Sequence, residues 1–304
     1  MTSTAIAQPT PNQPTPAPTA PTLPAGLRMG AVRLRVTDAA RSAAFYTGTV
    51  GLSLLGRNDD GSLRLGVGGQ TLVELVGAPD AGARPRGTTG LFHVALLVPD
   101  RPALALVLRR LVAQGVRLGA SDHLVSEALY LDDPDGNGIE IYRDRPESDW
   151  RWDRQTVEMA TQPLDLRRLL ADAPEGVALD APMPEGTSVG HVHLQVGDLA
   201  GARRFYVDEL GFAVTTDRYP GALFVSAGGY HHHLGLNIWH SRGGSAAPAN
   251  SVGLIEYEVV LPDAAAVEAV RARLHAAGEA VAPLAHGFAV ADPWGTRLLI
   301  RAAG

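Results

Sequence analysis

The run VGHVHLQVGD (189–198) alternates apolar and polar residues up to a closing aspartate. That two-residue period is the signature of a strand whose faces meet different surroundings. The closing Asp suits a helix N-cap, because its carboxylate can accept bonds from the free N–H groups of a first turn. The same design recurs as MGAVRLRVTD (29–38), GLFHVALLVPD (90–100) and GLIEYEVVLPD (253–263). A helix-period stretch ending near a glycine follows each copy: AARSAAFYTGTVGL, RPALALVLRRLVAQGV, LAGARRFYVDELGF and AAAVEAVRARLHAAGE. Strand-like segments come next, for example SLRLGVGG and TLVELVG, or ALYLDDPDG and GIEIYRD. The repeat is therefore βαβββ, with modules near 28–77, 90–144, 188–241 and 252–302.

With 304 residues the chain has room for about two ordinary domains. A hydrophobic fraction of 45% and a charged fraction of 19% are those of a globular protein. The net charge of −6 provides no basic footprint, which argues against nucleic acid or an anionic membrane surface as partner. Cysteine is absent, so disulfides and thiolate metal sites are excluded and His, Asp and Glu remain as strong ligands. No run of about 18 apolar residues occurs, so no membrane-spanning helix is expected. Residues 1–27 are Pro/Thr-rich and lack the features of a secretory signal; a disordered arm and a cytoplasmic location are expected. Modules one and two are expected over 28–144 and modules three and four over 188–304. The linker between them, 145–187, is expected to carry a short helix near 164–171.

Paired βαβββ modules, with FYTGTVGL (45–52) and FYVDELGF (205–212) in two first helices, resemble the vicinal-oxygen-chelate superfamily of glyoxalases, bleomycin resistance proteins and extradiol dioxygenases. The resemblance covers nearly everything after residue 27. It implies an α+β fold in which two modules join their sheets into one cup, with a metal on the concave side. Seven residues before the capping Asp, the first strands carry Ala31, His93, His191 and Glu256. At that position the resemblance implies a ligand aimed into the cup, and on the last strand it implies a carboxylate. DPDGNGIEIY (133–142) offers Glu140 there, whereas DPWGTRLLIR (292–301) offers Leu299. Asn237 is the expected counterpart in module three and Glu74 in module one.

Only modules two and three can supply two histidines and a carboxylate, so His93, His191 and Glu140 are the expected metal ligands. The four modules should form two cup-shaped mixed sheets, modules two and three sharing the metal cup and modules one and four the other. Enzymes of this kind usually keep their metal in modules three and four, so this placement departs from the pattern. The donor set is a facial triad with open positions, suited to Fe(II) activating dioxygen, with Mn(II) as the alternative. A closed structural zinc site would take four protein ligands.

The stretch HLVSEALYLDDPDGNGIE (123–140) resembles the extradiol signature: a His, a Tyr, an acidic residue and Pro, a Gly turn, then the ligand Glu. Ser121 stands where a Gly-like residue is usual. The resemblance, nearest to enzymes of the catechol 2,3-dioxygenase type, implies that His123 places the substrate and Tyr130 shares a proton with its oxygen. GYHHHLGLNIW (229–239) carries histidines where the resemblance implies an acid–base residue, a task imidazole suits because it titrates near neutrality. His233 is the first candidate and His232 the second; on a strand, His231 and His233 would share a face. His193 shares a face with His191, but no spacing selects it. His240, His275 and His286 read as surface or structural. Phe92, Leu129, Phe224 and Trp239 are expected walls of an apolar pocket.

The expected activity is extradiol cleavage of a small aromatic diol with O2; homo-oligomerisation is left open. Two alternatives stand beside it. A glyoxalase-like lyase or isomerase using Zn or Ni predicts a second carboxylate in module three. A non-catalytic small-molecule binding or resistance protein would account for the repeats alone.

Overall fold

The computed structural model describes residues 22–304. Most of the predicted arm lies outside the described residues. Its last part is ordered, correcting the expectation of disorder up to residue 27. Leu23 and Leu27 are buried, and the Leu23 N–H donates to the Gly211 carbonyl at 2.9 Å.

Module one comprises β1 (Arg28–Val36), α1 (Ala39–Phe45), β2 (Ser53–Arg57), β3 (Leu63–Val67) and β4 (Gln70–Gly77). Module two comprises β5 (Gly90–Leu97), α2 (Arg101–Ala113), β6 (Gly119–Asp122), β7 (Ser126–Asp132) and β8 (Gly138–Asp144). The spacer holds a small hairpin, β9 (Trp152–Asp153) and β10 (Thr156–Val157), and the short helix α3 (Leu166–Leu170). Module three has β11 (Ser188–Gln195), α4 (Leu199–Ala202), β12 (Ala213–Thr216), β13 (Ala222–Ser226) and β14 (Leu234–Asn237). Module four has β15 (Gly253–Leu261), α5 (Ala264–Ala277), β16 (Val281–Leu284), β17 (Gly287–Ala291) and β18 (Arg297–Ala302).

All four aspartates cap their helices: Asp38, Asp100, Asp198 and Asp263 each accept from N–H groups of the first turn. Helices α1 and α4 continue as π turns, Tyr46–Val50 and Arg203–Glu209. The Tyr of each FY pair then reaches the Asp-Pro turn of the following module. The Tyr46 hydroxyl donates to Asp133 at 3.3 Å, and that of Tyr206 to Asp292 at 2.9 Å. Both motifs are thereby explained as one recurring buried contact.

The strands form two eight-stranded mixed sheets in the predicted pairing. One runs β12-β13-β14-β11-β5-β8-β7-β6, the other β16-β17-β18-β15-β1-β4-β3-β2. Antiparallel pairs β5–β11 and β1–β15 join the modules at the centre of each sheet. Each cup is therefore built from both halves of the chain. Strand alternation sorts the two faces: Val32, Leu34, Val94 and Leu96 enter one continuous apolar core, leaving Arg33, His93 and Ala95 to the cups. Arg110 of α2 ties down the spacer, donating to the carbonyls of Leu179 at 2.7 Å and Val50 at 2.8 Å.

Candidate metal centre

Two rows of paired residues cross the concave face of the first sheet. In one, Tyr130 on β7 lies opposite Glu140 on β8, Glu140 opposite Ala95 on β5, and Ala95 opposite His191 on β11. In the next, His93 on β5 lies opposite His193 on β11, followed by Gly235 on β14 and Phe224 on β13. Directly opposed residues point to the same side, so the registers bring these groups together.

His93 Nε2 and His191 Nε2 lie 2.9 and 3.1 Å from the same oxygen, Glu140 Oε2. The three ligand atoms all fall within 4.8 Å of one another, and all three residues are buried. Burial works to raise the Glu140 carboxyl, but His191 and His93 outweigh it and hold the group well below the usual carboxylate range. Burial lowers the His191 imidazole, against the pull of Glu140. An ionised carboxylate beside a neutral imidazole is the state that binds a cation. His93 Nε2 is buried without a well-formed hydrogen bond, and Ala95 offers only a methyl between Glu140 and His191. These residues fit a divalent metal.

The second cup shows what Ala95 permits. There the matching row reads Arg64, Glu74, Arg33, Glu256, Arg297 across five strands. Arg33 takes the place of Ala95, its Nη1 3.6 Å from Glu74 and 3.9 Å from Glu256. A guanidinium on the protein's own chain thus supplies the positive charge for those carboxylates.

Around the triad, the structure corrects several expectations. Asn237 pairs with Gln195, two residues beyond His193; the position matching Glu140 in module three is Gly235. A Cβ on Gly235 would sit 2.8 Å from the His193 ring, so the glycine makes room for an imidazole rather than presenting a ligand. Asn237 instead sits 3.1 Å from His193 Nε2 through its side-chain nitrogen. His193, which no spacing selected, is a cup residue with its pKa driven well below the usual value, by burial first and by His93 and His191 next. Its strand parity with His191 was the available signal.

His231 and His232 lie in an irregular bend before β14, so strand alternation does not govern them. The His233 N–H, by contrast, already donates to the Val225 carbonyl at 3.0 Å, and its carbonyl accepts from the Val192 N–H at 3.1 Å. His232 lines the cavity, its ring centroid 4.1 Å from that of His191. His233 does not. Its Nδ1 accepts from the Ala227 N–H at 3.3 Å and contacts Ser226 Oγ at 2.8 Å, turning the ring away. Of the two candidates for the acid–base role, His232 is the one on the cavity wall, whereas the first choice, His233, is not. Burial depresses the His232 imidazole well below its ordinary range, with His191 and His231 adding to the effect.

His123 Nδ1 faces the Ala160 carbonyl at 2.7 Å and therefore carries a proton. In the neutral ring Nε2 is then an acceptor, and the Tyr130 hydroxyl donates to it at 2.6 Å. Burial raises the Tyr130 phenol well above its ordinary value, reinforced by the Glu140 charge. Above the triad opens a cavity of about 630 Å³. Phe92, Phe224 and Trp239 line it as expected; Leu129 does not, because it points to the convex side and packs in the core. Met159 and Thr161 of the spacer and Tyr219 add to the lining. The linker between the halves thus contributes to the pocket.

This geometry agrees with comparisons to known proteins. The model of the Glyoxalase/Bleomycin resistance protein/Dioxygenase superfamily matches residues 28–141 and 188–300. The chain belongs to that superfamily. It is 43% identical over 269 residues to a protein named catechol-2,3-dioxygenase from Bacillus subtilis (strain 168), spanning 87% of this chain and 93% of that one. Among solved structures, a protein of Bacillus subtilis subsp. subtilis str. 168 shares the superfamily fold with a TM-score of 0.65 at 16% identity, covering 93% of this chain and 86% of the other. Glyoxalase I from Zea mays superposes with a TM-score of 0.55 at 19% identity, covering 91% and 92%. At these identities the two structures speak for the fold alone. Among the described residues, no helix is long and apolar enough to cross a membrane.

Proposed function

We propose that this superfamily member is an extradiol dioxygenase that uses Fe(II) and O2 to open a catechol, or a substituted catechol, beside its two hydroxyls. The product would be a muconic semialdehyde. The observation that carries the proposal is the buried His93–Glu140–His191 set at the floor of an aromatic-lined cavity. The curated relative's name supports the same chemistry. His93, His191 and Glu140 would hold the iron, which supplies adjacent open positions for both substrates and the redox capacity to activate O2. Manganese(II) is the alternative ion for the same donors.

The remaining roles belong to the chain's own side chains. Phe92, Phe224 and Trp239 clamp an aromatic ring by apolar contact. Tyr130 stays protonated and presents its hydroxyl to a substrate oxygen, held in place by His123 and the Ala160 carbonyl. His232, neutral and facing the cup, accepts a proton from a substrate hydroxyl and returns it to the opened product. A glyoxalase-like reading loses its second carboxylate, because Gly235 stands at that position.

The test is anaerobic reconstitution with Fe(II), followed by catechol and then air. A yellow ring-fission product is expected, and His93→Ala is expected to retain no iron and form none. Metal-dependent turnover of a methylglyoxal–thiol adduct without ring fission would overturn the proposal.

A further inference from the structure

We propose that His231 and Asp144 are positioning residues that set the tautomer of His232 and take up its charge during turnover; the inference rests on the dioxygenase reading above. The two residues lie outside the metal ligand set, and three side chains form one continuous chain. His232 Nδ1 lies 2.8 Å from His231 Nδ1, and His231 Nε2 lies 2.7 Å from Asp144 Oδ1. His231 is fully buried, while Asp144 is 23% exposed. The line therefore runs from the floor of the cup to solvent, ending in a depression lined by Arg143, Arg145 and Trp150, apart from the substrate cavity. The His231 ring cannot easily turn, because Tyr230 stacks on it at 4.2 Å and the Trp150 edge meets it at 5.1 Å.

Proton accounting gives this line its function. A carboxylate oxygen only accepts, so His231 Nε2 carries the proton facing Asp144. In neutral His231 the other nitrogen, Nδ1, is then an acceptor, and His232 must donate from its own Nδ1. That leaves a lone pair on His232 Nε2, the atom available to the cup: a base ready for a substrate hydroxyl.

When Nε2 takes that proton, the Nδ1 proton of His232 can pass across the 2.8 Å nitrogen–nitrogen contact to His231 Nδ1. His232 is again neutral, now with Nε2–H as an acid, and the positive charge sits on His231 against Asp144. Two protons move and none is lost. The cation has left the vicinity of a metal centre for a carboxylate at the edge of solvent. Three successive histidines thus have three tasks: His231 orients, His232 faces the reaction and His233 anchors the bend to Ser226.

In the iron-loaded enzyme, Asp144→Asn is expected to lower kcat about 10- to 100-fold. Iron content and the KM for catechol should stay within about twofold, and Asp144→Glu should recover part of the rate. A second readout does not need turnover. Nitrogen-15 histidine spectra of the zinc-loaded, diamagnetic full chain should show the Nδ1–H tautomer at His232, and a mixture in Asp144→Asn. A wild-type His232 protonated on Nε2 alone, or an unchanged kcat in Asp144→Asn, overturns the relay. Absence of ring cleavage in the wild type instead overturns the dioxygenase reading, and the spectra then decide whether His231 and Asp144 set the tautomer.

Discussion

At the scale of single residues, His233 shows how burial becomes a pH dependence. Burial pushes its imidazole down to about 3, with His231 and His191 adding to the shift. In the unfolded chain the same group titrates near 6.5. Between these values the unfolded state binds a proton that the folded state refuses, so stability is lost as pH falls through that window. His233→Asn keeps an acceptor for the Ala227 N–H but removes the titration. Between pH 7 and pH 5 the wild type should lose about 2 kcal/mol more than this variant, measured by urea unfolding. Equal losses would remove His233 as the cause. Identity and spacing named His93, His191 and Glu140 in advance, but not which ring of 231–233 faces the cup, because a bend breaks the alternation that a reader of sequence must assume.

Elements are joined by contacts that the repeats write twice. The FY and Asp-Pro motifs are far apart in sequence and meet only when α1 packs beside the turn before β8. Asp133 is a buried carboxylate raised above its usual range by burial, with Asn137 among the groups drawing it back. Tyr46 is its donor from the neighbouring module. Tyr46→Phe should therefore cost about 1 kcal/mol in denaturant unfolding while metal affinity stays unchanged. A loss of metal with full stability would instead place the turn in the binding site. The motifs themselves were readable as a family mark; their mutual bond was not, since nothing in either segment names the other as partner.

Over the whole molecule, the two cups share a topology but differ along the matching row, where Ala95, between Glu140 and His191, is replaced by Arg33, between Glu74 and Glu256. Ala95 leaves space between its neighbours; Arg33 fills the corresponding space. The protein should bind one iron per chain, counted by elemental analysis of the purified holoenzyme. Ala95→Arg should abolish retention of that iron with little change in far-UV circular dichroism, because the new guanidinium pairs with Glu140 as Arg33 does with its carboxylates. Iron retained at full stoichiometry in this variant would refute the account of the second cup.

The sequence determined the repeat and the helix caps, and through its family resemblance the pairing of the middle modules and the three residues, His93, Glu140 and His191, that meet on the cup floor. The repeat and caps follow from a local period along one strand, which the chain carries wherever it folds, and the resemblance turns that period into an expected cup and its ligand positions. Tertiary structure decided the rest. The register between β11 and β14 put Gly235 rather than Asn237 opposite the His193 position. The bend before β14 turned His232 inward, and the spacer laid Ala160 against His123. These outcomes depend on which strands come to lie side by side and where the backbone departs from regular geometry, and only the folded chain settles either.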